Sequence, residues 1–194
     1  LAQGIEIVKT MRREKATIFL SYTSNMISSG VREIIKYLVK HKKVDVLVTS
    51  AGGIEEDIIK ALKPFVLGEF DVSGRMLFEH GVNRTGNIFV PNDRFAYFDK
   101  FMQTFLADIY KKQKEQGTIF CPKDLNRELG LAINDESSIL YWAAKNDIPI
   151  FCPGIIDGSL GDMIYFFKQT HKDFILDVSK EIKDIVNIAL NSEK

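Results

Sequence analysis

The run Val44-Asp45-Val46-Leu47-Val48-Thr49 constrains this chain most. A near-continuous apolar run of that length is the pattern of a strand buried on both faces, as in a parallel sheet. Before it, Ala16-Thr17-Ile18-Phe19-Leu20-Ser21-Tyr22 is a short β-prone run. Between the two, Val31, Ile34, Ile35, Leu38 and Val39 fall at i, i+3, i+4, i+7 and i+8, which predicts a helix with one apolar face. Strand, helix, strand is the result. A second helix is predicted within Ser50-Ala51-Gly52-Gly53-Ile54-Glu55-Glu56-Asp57, turning Ile54, Ile58, Ile59 and Leu62 inward until Pro64 stops it.

The middle is less regular. Gly86-Asn87-Ile88-Phe89-Val90-Pro91 reads as a strand or extended loop. Phe95, Phe98, Met102, Phe105, Leu106 and Ile109 then mark a long helix ending near Gly117, and their helical spacing makes a core face rather than an aromatic ligand platform. Shorter helices are predicted near Lys123 to Ile133 and Ser137 to Lys145, with a strand at Ile148-Pro149-Ile150-Phe151-Cys152-Pro153, where Pro149 argues against a central position. Helical patterns return at Ser159 to Phe167 and Asp177 to Leu190, with Phe174-Ile175-Leu176 between them as a strand or helix entry. The fold class is therefore α/β: a Rossmann-like, mostly parallel sheet with flanking helices, as one domain over residues 1–194.

Composition narrows the function. Lys plus Arg total 26 against 26 Asp plus Glu, so no net charge draws the chain to nucleic acid or to an anionic membrane. No apolar run approaches a spanning helix and no signal pattern opens the sequence, so a soluble, intracellular protein is expected. Cys121 and Cys152 are too few for a disulfide framework and read as packed thiols. His41, His80 and His171 lack metal-ligand spacing, so no metal site is expected, and His41 reads as a cation at a helix carboxyl end.

In parallel sheets ligands sit beyond the carboxyl ends of the strands, and three such ends are loaded with polar groups. The first is Thr23-Ser24-Asn25-Met26-Ile27-Ser28-Ser29-Gly30, suited to a phosphate at a helix amino end or, more simply, to capping by Ser28 or Ser29. In the second, Ser50-Ala51-Gly52-Gly53 allows close backbone approach to a ligand. Glu55, Glu56 and Asp57 follow as first-turn acids, either dipole partners or acceptors for a ribose or an organic cation. The third runs from Pro153 to Asp162. There Asp157 suits a cap, and Asp162, in an apolar segment, is expected to be buried and paired with a cation.

These strings, read in order from Ser21 through Glu33, Val44 through Asp57 and Asp157 through Met163, closely resemble the deoxyhypusine synthase family. Gly81 to Asn87 and Tyr141 to Asn146 fit the same family in the same order. The resemblance implies NAD-dependent transfer of the aminobutyl group of spermidine to a lysine of the hypusine-containing translation factor precursor, by a cytoplasmic homotetramer. NAD takes a hydride from spermidine, an imine passes through an enzyme lysine, and the hydride returns. It implies NAD contacts at Ser24, Asn25, Met26, Ile27, Ser28, Ser50, Ala51, Gly52, Glu56 and Asp157, and spermidine contacts at Glu55, Glu56 and Asp162. The family's nucleophilic lysine, in a Trp-Gly-Lys motif, falls beyond Lys194; Trp142 is followed by Ala143 and Ala144 and is not that motif. With Leu1 first and a helical pattern running to Lys194, the 194 residues are expected to be the amino-terminal two-thirds of such an enzyme. A regulatory subunit lacking the lysine, and a homospermidine-synthase-like transferase to a small amine, are the alternative readings.

Overall fold

The computed structural model describes residues 1–192, so the expected helical continuation to Lys194 lies outside the described residues. In chain order the elements are α1 (Ala2–Arg13), β1 (Phe19–Tyr22), α2 (Ser24–Ser28), α3 (Val31–Lys40), β2 (Val46–Thr49) and α4 (Ala51–Leu62). Then come β3 (Val66–Leu67), α5 (Gly74–Glu79), β4 (Val82–Thr85), β5 (Ile88–Pro91) and α6 (Asp93–Gln116). The remainder is α7 (Pro122–Ile133), α8 (Ile139–Asn146), β6 (Ile150–Phe151), α9 (Gly158–Thr170) and α10 (Val178–Leu190).

The apolar run at 44–49 becomes the middle strand of a parallel sheet ordered β1-β2-β6, with Phe19 to Tyr22 in register with Val46 to Thr49 and Leu47 and Val48 against Ile150 and Phe151. Helices flank this sheet, and the fold is mixed α/β. β6 is an edge of the three strands, where proline is tolerated: Pro149 offers only its carbonyl, to the Leu47 N–H at 3.0 Å. Side chains close the far side of β6. The Ile150 carbonyl accepts from Asn126 Nδ2 at 3.0 Å and the Cys152 N–H donates to Glu181 at 2.8 Å. Of the segment 174–176, Leu176 forms an isolated parallel bridge with Phe120.

The sheet content is not mostly parallel, because a second, antiparallel sheet ordered β3-β5-β4 stands beside the first. Its hairpin turns at Gly86-Asn87, with Thr85 opposite Ile88 and Gly86 at a φ of 60°. A two-residue loop of this kind needs positive φ, which glycine adopts without a Cβ clash.

Phe98, Met102, Phe105, Leu106 and Ile109 of α6 are buried, so the aromatic stripe is core. Both cysteines are free and buried, as packed thiols should be. The face of α3 is rotated from the expected one: Ile35 and Val39 point in, Val31 and Ile34 are exposed, and Arg32 is turned inward. The cause is Asp57 on α4, whose Oδ1 accepts from Arg32 Nε at 2.8 Å. Asp57 also accepts from Ser138 Oγ at 2.7 Å and from the N–H groups of Ile139 and Leu140 at 3.1 and 3.0 Å. One buried carboxylate thus ties α3, α4 and the amino end of α8 together. Among the described residues no helix is long and apolar enough to cross a membrane.

Candidate functional site

The carboxyl ends of β1 and β2 deliver α2 and α4 side by side. Ser50 is the N-cap residue of α4 but makes no side-chain cap hydrogen bond, and the helix starts at Ala51. Glu55, Glu56 and Asp57 therefore lie in the second turn, not the first, and are not partners of the amino-terminal dipole. The two glycines before them do not hold space open for a ligand either. A Cβ on Gly52 would lie 2.6 Å from the Ser24 Cβ, and one on Gly53 would lie 2.1 Å from Thr49 Oγ1. Both are consumed by close packing of α4 against α2 and β2.

The hydroxyl run takes unexpected roles. α2 begins at Ser24, and Gly30 is the N-cap residue of α3; Ser29, one residue earlier, still accepts from the Val31 N–H at 3.3 Å, so the expected capping hydroxyl is Ser29 and not Ser28. The Ser28 Oγ hydrogen-bonds the carboxylate of Glu56 and donates to the Ser24 carbonyl at 3.2 Å. Glu55 accepts from the Leu160 N–H at 2.8 Å and from the Ser159 N–H, which caps the amino end of α9. Asp157 is the N-cap residue of α9, makes no cap bond through its side chain, and is exposed.

Asp162 is exposed on α9 rather than buried, so burial does not demand a partner for it. Its charge nevertheless reaches Glu55. Burial pushes the Glu55 carboxyl up, and Asp162 adds to the rise against the hydrogen bonds from α9. Burial likewise pushes Glu56 up to about 7, with the charge of Glu55 contributing. Among the described residues none of these three carboxylates forms an ion pair.

The other expected ligand contacts divide by exposure. Asn25 and Ser50 are open to solvent, Ser24, Met26 and Gly52 are half-buried, and Ile27, Ser28 and Ala51 are buried. The sequence reading missed the other residues that line this space. A pocket of about 170 Å³ is lined by Glu55 and Glu56, by Phe65, and by Asn83, Arg84 and Thr85 of β4. The only signal for it was the polar run between Gly81 and Gly86. No group of three or more His, Cys, Asp or Glu suited to a metal ion occurs among the described residues.

A raised carboxyl pKa has a stability consequence. Folded, Glu56 holds its proton up to about 7, against an ordinary 4.5, so its unfavourable contribution is absent below pH 4.5 and grows as pH rises through 7. Glu56→Gln is expected to stabilise the ligand-free protein at pH 8 by about 1–2 kcal/mol, allowing for partial exposure, and to change little at pH 4.5. Urea melts at the two pH values check this; an equal shift at both contradicts it.

Fold and site together define an α/β domain with two half-buried glutamates beyond the strand ends, Glu56 bonded to Ser28 of the neighbouring short helix. The deoxyhypusine synthase family model matches residues 1–194, and the chain belongs to that family. A Methanocaldococcus jannaschii relative, described as "Probable deoxyhypusine synthase", is 51% identical over 195 residues, covering 96% of this chain and 59% of its own. A Pyrococcus furiosus relative of the same description is 48% identical, covering 100% and 62%. One from Schizosaccharomyces pombe is 49% identical, covering 94% and 53%. A crystal structure of a "putative deoxyhypusine synthase" from Entamoeba histolytica superposes with a TM-score of 0.72 at 31% identity, covering 91% of this chain and 56% of that one. The chain thus spans between about half and three-fifths of the length of these relatives.

Proposed function

We propose that this chain provides the NAD- and spermidine-binding part of a deoxyhypusine synthase, within a Rossmann-like domain over residues 1–194. The enzyme transfers the 4-aminobutyl group of spermidine to a lysine of the hypusine-containing translation factor precursor and releases 1,3-diaminopropane. It works in the cytoplasm as a homotetramer. The observation that carries this reading is the cluster of Glu55, Glu56 and Asp162, three carboxylates without an ion pair among the described residues, two of them driven up by burial. A polyamine supplies the missing positive charge and the N–H donors.

The residues also suit a dinucleotide. The α4 amino end lacks a side-chain cap, which favours a phosphate there, and Ser24, Asn25 and Ser50 line the approach. Glu56 and the exposed Asp157 offer carboxylate acceptors for ribose hydroxyls. When bound, NAD supplies reversible acceptance of a hydride. This chain's residues fix the amine: Glu55, anchored on α9, holds one ammonium, and Glu56 gives up its proton as the cation enters.

Asp162, being exposed, adds less than the two glutamates. Asp162→Ala is expected to weaken spermidine binding roughly threefold, within the range of an exposed ion pair, and to leave NAD binding unchanged. Calorimetric titration of each ligand checks this, and equal losses for both would contradict the assignment. The acceptor is tested by incubating the protein, in its assembled full-length form, with NAD, spermidine and either the factor precursor or putrescine. Transfer to the precursor is the predicted result. Transfer only to putrescine would favour the homospermidine-synthase-like reading.

A further inference from the structure

Gly52, Glu56 and Lys60 stand four residues apart on α4 and share one face, and each meets α2. Gly52 lets the Ser24 side chain pack against the helix, and Glu56 binds the Ser28 hydroxyl. The third contact has no role in the site described above. Lys60 Nζ donates to three consecutive carbonyls, those of Ile27 at 2.8 Å, Ser28 at 3.0 Å and Ser29 at 3.1 Å. An ammonium has three N–H donors, and all three are used. The Phe65 ring lies 5.7 Å from the same nitrogen and covers it.

The three carbonyls end α2, a helix of five residues that cannot hold its own shape. Within it Ile27 and Ser28 are buried and the partly buried Met26 packs against the core, so the apolar anchor of the helix is two adjacent side chains. They set its depth, and the fan of bonds from Lys60, together with Glu56 on Ser28, fixes its carboxyl end against α4. Burial favours the neutral amine and pulls the Lys60 pKa down, but three carbonyl acceptors suit the ammonium.

We propose that Lys60 is a positioning residue that locks α2 against α4, so that Ser24 and Asn25 face Ser50 and the α4 amino end as two walls of one dinucleotide cradle. This rests on the NAD reading of the site. Lysine is suited to the task because its point charge can serve three divergent acceptors, whereas the planar guanidinium of arginine directs its donors in one plane.

The test compares the unaltered chain with Lys60→Met and Lys60→Arg by NAD titration and by amide hydrogen exchange. Lys60→Met is expected to weaken NAD binding at least tenfold and to speed exchange of the α2 amides at least tenfold, with the buried Ile58 and Ile59 amides of α4 unchanged. Lys60→Arg should fall between. Lys60→Met that melts at a lower temperature but binds NAD within twofold of the unaltered chain would overturn the proposal, because the contact would then only stabilise the fold. If neither variant folds, the proposal is likewise overturned, since Lys60 would be holding the whole domain and not α2. No NAD binding by the unaltered chain defeats the proposed function and the cradle with it, while the exchange data still decide whether Lys60 holds α2.

Discussion

Asp57→Ala is expected to cost about 3–5 kcal/mol of folding stability, the range for leaving a buried charge without its partner. Against a total stability of roughly 5–15 kcal/mol, that loss leaves the domain marginal or unfolded. The size follows from what the carboxylate holds. Asp57 is 1% exposed and Arg32 4% exposed, so removing the carboxylate leaves an interior guanidinium with only the residue-57 backbone carbonyl at 3.2 Å and the exposed Glu33 at 3.6 Å. It also strips the acceptor from Ser138 and from two N–H groups at the start of α8. Asp57→Asn keeps a carbonyl acceptor and should lose less. Arg32→Met should also lose less, because Asp57 retains three donors on α8. Urea denaturation of the three variants checks the order, and an Asp57→Ala loss below about 1 kcal/mol, the scale of one ordinary hydrogen bond, would contradict this account.

The second large effect is on ligand binding. Glu55→Gln and Glu56→Gln are each expected to weaken spermidine binding roughly ten- to hundredfold, since a hydrogen bond to a charged group contributes about 1.5–3 kcal/mol. Glutamine keeps the shape and an oxygen acceptor for the Leu160 N–H, so α9 should stay capped in Glu55→Gln. The two variants separate on the other ligand. Glu55→Gln should leave NAD affinity unchanged, whereas Glu56→Gln should weaken it, because the proposed site also assigns Glu56 to a ribose hydroxyl of NAD. The double variant is predicted to show no measurable spermidine binding while remaining folded. Full retention of affinity in the double variant would remove the carboxylates from the site.

Much of the first half of the fold was legible because its signals are local. The run at 44–49 could only be a strand buried on both faces, and the spacing of Phe98, Met102, Phe105 and Ile109 only a helix face in the core. The antiparallel sheet was harder to read. β3 has two residues, and β4 reads Val-Asn-Arg-Thr, too polar to show alternation, so the turn residues Gly86-Asn87 were its best sign. The face of α3 was misjudged because the partner that turns Arg32 inward is Asp57, 25 residues away in sequence.

At the site, the residue types were evident and their environments were not. Asp162 seemed buried because Met163, Tyr165 and Phe166 follow it, yet Tyr165 and Phe166 are themselves about 60% exposed. Glu55 and Glu56 seemed to open a helix that in fact starts at Ala51. Lys60 gave no signal at all, since three carbonyls that share one ammonium have no counterpart in sequence.

The central claim is that Glu55 and Glu56 form a cation site in which the Glu56 carboxyl sheds its proton as the cation enters. Titration of spermidine at pH 7 in two buffers of different ionisation enthalpy tests it most directly. With Glu56 poised at about 7 and ionised by the arriving cation, the account predicts release of roughly half a proton per spermidine bound, and none in Glu56→Gln. Binding heats that do not depend on the buffer, or a proton release that survives in Glu56→Gln, would contradict it.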